Sequence, residues 1–182
     1  MATTEIVVKK LKKLNKKRGL TLIEVIIAMA IMVIVGGVVT TMTISNNKIL
    51  SKVDMKSELQ MEGQLIQTQL MKVALNSNGV IDAKFKEGSD EIQSITIQDN
   101  QYTYKFTLSG STLTYRKLEG EGSLQERVLS SKVSSIQVIP SIEEELKKSE
   151  YMEFNINLST KRGSQTIDYR VDNYIVFRNF KK

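Results

Sequence analysis

The chain has no cysteine, no histidine and no tryptophan, and one proline in 182 residues. Without cysteine there is no disulfide, so the fold must hold by packing alone, even where an oxidising compartment would permit cross-links. Without cysteine or histidine, zinc and haem sites and thiol- or imidazole-dependent catalysis lose their usual ligands and nucleophiles. No G-x-S-x-G, phosphate loop or metal-spaced cluster appears either, so the sequence reads as non-enzymatic and free of cofactor and metal. The single proline, Pro140, leaves the first half of the chain without the strongest helix breaker.

An excess of charge is also missing from most of the chain. Residues 1–19 hold seven of the 26 lysines and arginines and one of the 20 acids, Glu5. That segment carries the whole net charge of +6; the rest balances at 19 of each sign. The basic leader reads as a cytoplasmic flank under the positive-inside rule. It is not a nucleic-acid footprint, which needs a basic track on a folded face.

What the chain does have is one long apolar run, from Leu20 to Ile44, with one charge inside it, Glu24. About 20 apolar residues span a bilayer as a helix. The run is too long for the core of a secretory signal peptide, and no small-residue cleavage site with a polar sequel follows it. The small residue lies on the other side, where Gly19 separates the basic and apolar parts. A charged group at mid-bilayer costs about 2.5–3.5 kcal/mol, so Glu24 calls for a partner or a function.

Lys16-Lys17-Arg18-Gly19-Leu20-Thr21-Leu22-Ile23-Glu24 resembles the prepilin signal of type IV pilins and pseudopilins, and the likeness extends over residues 16–76. The resemblance implies cleavage by a prepilin peptidase between Gly19 and Leu20 and N-methylation of Leu20. It implies that Glu24 pairs with the new amino terminus of a neighbouring subunit; the plainer alternative is an acid that snorkels to the headgroups. Two departures stand out. The proline common about twenty residues into the mature helix is missing, and so is the C-terminal disulfide of many relatives. Gly36-Gly37 lies near the place of that proline. Each glycine weakens a helix by about 1 kcal/mol relative to alanine, which favours helix flexibility there, whereas close helix packing in the membrane is the competing reading.

Four segments follow: a removable leader (1–19), a transmembrane or filament-core helix (20–44), its amphipathic continuation (45–76) and a β-rich head outside the membrane (77–182). The fold class is α+β, a long N-terminal helix packed on an antiparallel sheet. Met55, Leu59, Ile66, Leu70 and Val73 recur at helical spacing, with Gly63 filling the row. This stripe docks on the chain's own sheet or on other subunits. Asn76-Ser77-Asn78-Gly79 ends the helix. Residues 77–91 read as a loop, with a short element over 80–85.

From Ile92 the period falls to two. Ile95 and Ile97, then Tyr102, Tyr104, Phe106 and Leu108, then Leu113 and Tyr115 predict a three-strand meander with one buried face. The four aromatics read as core or cross-strand pairs. Leu124–Leu129 leads into a strand over 133–139 that Pro140 ends, and 141–149 is a charged loop or one helical turn. Met152–Leu158 and Ile167–Phe177 form a last hairpin around Lys161-Arg162-Gly163-Ser164. The order of these segments is similar to the larger minor pilins, the J-type pseudopilins and W-type minor pilins among them.

The resemblance implies a minor pilin or pseudopilin. It would wait in the bacterial membrane as a single-pass protein, then be drawn into a fibre at the cell surface by an assembly platform and its ATPase. Its partners are then the peptidase, other pilin subunits and, before assembly, the lipid bilayer. The alternatives are a type II secretion pseudopilin, or an adhesin or DNA-uptake subunit exported the same way. DNA binding would rest on Lys147, Lys148, Lys161 and Arg162, but Glu143–Glu145 sit beside the first pair.

Overall fold

A computed structural model describes residues 21–120 and 122–180. The leader, with Gly19, and Leu20 lie outside the described residues. One helix, α1 (Leu22–Asn76), opens the described chain. The chain forms two compact units, one ending at Lys48 and the other starting at Ile49.

In the first unit the described residues are all helical after Thr21 and all exposed. This part of α1 is apolar and long enough to cross a membrane, with a mean hydropathy of 2.8 over its best window. Apolar surface of this kind is stable only in lipid or against other helices. Three threonine hydroxyls turn inward on the helix. Thr40, Thr41 and Thr43 donate to the carbonyls of Gly36, Gly37 and Val39 at 2.8–2.9 Å. In lipid this removes the cost of three hydroxyls without water.

The second unit is the remainder of α1 and two antiparallel sheets. The first has five strands in sequence order: β1 (Gly79–Phe85), β2 (Ile92–Gln98), β3 (Thr103–Ser109), β4 (Thr112–Glu119) and β5 (Gly122–Ser130). The second has three: β6 (Val133–Ile139), β7 (Tyr151–Arg162) and β8 (Gln165–Val176). A short helix, α2 (Glu143–Lys148), joins β6 to β7. The two sheets touch through an isolated bridge between Glu91 and Gln137.

The apolar stripe on α1 is the core's helical wall. Met55, Leu59, Ile66, Leu70 and Val73 are buried, and so is Gly63. The sequence row therefore faces the chain's own sheets. Gly63 sits where a side chain will not fit: a Cβ there would lie 2.7 Å from Cγ2 of Val171 and 3.1 Å from Cε1 of Tyr169. The missing side chain lets helix and β8 approach closely.

Several expectations hold locally. The helix stops at Asn76, β6 stops before Pro140, and β7 and β8 turn at Gly163, whose φ is +61°. Tyr104, Phe106 and Tyr115 are core residues, and Phe106 faces Tyr115 across β3 and β4 with rings 5.3 Å apart. The acid-first, base-last α2 suits the helix dipole, and its Leu146 is fully buried.

Two expectations are extended. The short element expected over 80–85 is a full strand, 79–85, within the stretch read as a loop. A register shift between Val80 and Asp82 breaks the alternation of inward residues, so period two is not visible there. The three-strand meander is in turn the middle of five strands. β5 is exposed from Gly122 to Val128 on both faces, so its sequence carries no buried row to detect.

Candidate functional site

The chemistry of the first unit gathers at the start of α1. Thr21 is the residue before the helix, and its carbonyl accepts the first helical bond from Val25 N at 3.2 Å. Its side chain and that of Glu24 cap the first turn together. Glu24 Oε2 accepts from the Thr21 backbone N–H at 2.8 Å and from the Thr21 hydroxyl at 2.9 Å. Thr21 Oγ1 accepts from Glu24 N at 3.3 Å. This is a reciprocal capping box, threonine and glutamate three residues apart. The carboxylate also sits at the positive end of the helix dipole, where an anion is favoured.

Sequence reasoning sought a partner for Glu24 in another subunit and passed over Thr21, three residues away. The signal was present: Thr-x-x-Glu before an apolar run is the capping-box pattern. The other partner expected for Glu24, the amine that cleavage after Gly19 would expose at Leu20, falls outside the described residues.

Gly36 and Gly37 lie within the unbroken helix. A Cβ at either would meet nothing within 4 Å. Their carbonyls carry the extra bonds from Thr40 and Thr41, a pattern that loosens and bends helices slightly.

In the second unit no group of His, Cys, Asp and Glu suited to a metal occurs among the described residues. Two of the four candidate DNA contacts sit beside acids. Lys147 pairs with Glu143 at 2.6 Å, and the charge of Arg162 reaches Glu58. A more ordered charged cluster was missed by sequence reasoning. Lys132, in the turn between β5 and β6, bridges Glu58 at 2.5 Å and Glu62 at 2.9 Å on α1, and the Ser130 hydroxyl donates to Glu62 as well. Its members are about 70 residues apart in sequence, so no local pattern announces it.

The model of one family, the prokaryotic N-terminal methylation motif, matches residues 14–40. That segment contains Gly19, Leu20, Thr21, Glu24, Gly36 and Gly37. Neither the curated proteins nor the solved structures contain a match to the chain. The motif fits a single-pass anchor in the long apolar helix, and the family it marks is structural rather than catalytic. The motif runs from residue 14 into the apolar helix, and with an antiparallel β head behind that helix the chain is similar to type IV pilins and pseudopilins.

Proposed function

We propose that the chain is the precursor of a structural subunit, a minor pilin or pseudopilin, of a type IV pilus or related fibre. The observation that carries this reading is the methylation motif over residues 14–40, which contains Gly19, Glu24 and the start of the long apolar run. A prepilin peptidase cuts between Gly19 and Leu20 and methylates the Leu20 amine. The mature chain stays in the cytoplasmic membrane by α1, with its head outside. An assembly platform, driven by a separate ATPase, then moves the helix from lipid into the fibre core.

Glu24 selects the register. In lipid its carboxylate is satisfied by Thr21 within its own helix. The Leu20 amine of a neighbour adds a full opposite charge, which the capping box alone does not supply. Pairing therefore favours side-by-side subunits at one axial offset. Gly36 and Gly37 give α1 the local freedom to change its surroundings from lipid to protein.

The test is direct. Gly19→Ala should leave full-length precursor in the membrane, read by N-terminal sequencing and mass; a mature chain still starting at Leu20 overturns the cleavage site. Glu24→Ala should be cleaved normally but be lost from sheared fibres; normal incorporation overturns the pairing.

A further inference from the structure

The outer face of the second sheet carries an acid at the border of an apolar patch. In register across three strands stand Ile139 on β6, Glu153 on β7 and Tyr174 on β8. The next row is Tyr151 and Val176. Residues directly opposite in a sheet share a face, so Ile139, Tyr151, Tyr174 and Val176 flank Glu153 on one side of this face, and Gln137, Asn155 and Asp172 form the polar row on its other side. The two tyrosine rings stack at 5.6 Å, with Tyr151 47% and Tyr174 59% exposed. Ile139 and Val176 are about half exposed. Glu153 has no ion pair or hydrogen-bonding side chain among the described residues. Exposed apolar patches mark interaction surfaces, and tyrosines are frequent anchors of them.

The same unit carries the complementary surface on α1. Ile49, Lys52, Val53 and Lys56 stand at i, i+3, i+4 and i+7, which is one helix face. All four are exposed, and neither lysine has an ion pair among the described residues. The patch offers apolar surface beside an anion, and the helix face offers apolar surface beside cations.

We infer that the Ile49–Lys56 face of one copy docks on the Tyr151–Tyr174 patch of a second copy, with Lys52 and Lys56 meeting Glu153. The inference deepens the fibre reading and rests on it. Val53 and Ile49 pack against the tyrosine rings and Val176, and the lysines neutralise the carboxylate as water leaves. The two surfaces are different parts of one chain, so the contact is head-to-tail. Such contacts propagate into open helical filaments when the rotation does not close. Copies of this subunit then stand next to one another in the fibre.

The chain has no cysteine, so an introduced thiol is the sole thiol of its copy. Full-length Val53→Cys and Val176→Cys copies are co-expressed and oxidised, in membranes and in sheared fibres. A mixed disulfide dimer is expected. Lys52→Glu with Lys56→Glu in the first copy should lower it roughly tenfold, and Glu153→Lys in the second should restore it. Fibres that contain both variants but yield no mixed dimer, or yield only same-variant dimers, overturn the docking and leave the fibre reading standing. A mixed dimer in membranes, with neither variant in fibres, supports the docking and overturns the fibre reading.

Discussion

Thr21 and Glu24 cap each other: the threonine hydroxyl donates to the carboxylate at 2.9 Å while accepting the glutamate N–H at 3.3 Å. The acid in the apolar run is therefore part of the helix start as well as a candidate contact with a neighbour. The two roles separate by mutation. Thr21→Val removes the cap, worth about 1 kcal/mol, but keeps the charge. It should reduce incorporation into fibres only partly, whereas Glu24→Ala should abolish it. Quantified subunit in sheared fibres distinguishes them; equal loss in both variants would make the cap the essential element.

Gly63 predicts a packing defect. An alanine there meets Val171 Cγ2 at 2.7 Å, and Val171 is short and branched, so it cannot swing aside. Overpacking of this kind costs about 1–3 kcal/mol, more than the helix gains from losing a glycine. Gly63→Ala should lower the thermal midpoint of the full chain in detergent. Adding Val171→Ala should recover part of it, because the second change vacates the contested volume. No shift in Gly63→Ala would mean that α1 and β8 do not approach this closely.

The β2–β3 turn predicts a pH dependence. Burial alone would raise the Asp99 carboxyl, but hydrogen bonds from the Tyr104 hydroxyl and from the N–H groups of Tyr102 and Gln101 outweigh it, and the result is a lowered pKa. Burial, with Asp99 beside it, pushes Tyr104 well above its usual range. A carboxyl with a folded-state pKa below its unfolded value stabilises above the ordinary carboxylate range. That contribution is lost as pH falls through the folded value. Tyr104→Phe should therefore cost about 1 kcal/mol at neutral pH, and the gap to the parent chain should close in acid. Melting curves from neutral to strongly acidic pH read this directly; a gap that does not depend on pH removes Asp99 from the account.

Lys132 ties the β5–β6 turn to α1, and its window has two edges. Its hydrogen bond to Glu58, aided by their attraction, lowers the Glu58 pKa. Burial would lower the pKa of Lys132, but its hydrogen bonds to Glu58 and Glu62 win and raise it. The Glu58 contribution is lost as pH falls through its lowered value. The Lys132 contribution is present below the ordinary lysine range and lost as pH rises through the raised value. Lys132→Met should lower the thermal midpoint most at neutral pH and least at both extremes. A constant deficit across the range would assign the effect to packing of the lysine stem.

The legible parts of this chain were those with local causes. The stripe from Met55 to Val73 and the turn at Gly163 depend on neighbours three, four or two residues away. The prepilin-like motif depends on nine consecutive residues. The Thr21 cap was equally local, but Glu24 was weighed by its cost in lipid rather than by its distance from a threonine. The division into two sheets was not legible, since alternation reports that a strand has an inside but not which strand lies beside it. The bulge at Val80–Asp82 breaks the alternation, so the sequence placed an element over 80–85 without showing it to be a paired strand. Lys132 with Glu58 and Glu62, and Tyr151 with Tyr174, are juxtaposed by folding across long stretches of sequence, so no spacing rule reaches them.

β5 has one further consequence. It is an outer strand of its sheet, and from Gly122 to Val128 it buries nothing, while Glu126 and Arg127 keep its edge charged. Backbone pairing to β4 holds it in place, and that pairing asks little of side-chain identity. An epitope or fluorophore written into Ser123–Val128 would ride on the head without disturbing its interior, which makes this strand the natural handle for testing in living cells whether the protein passes from membrane to fibre.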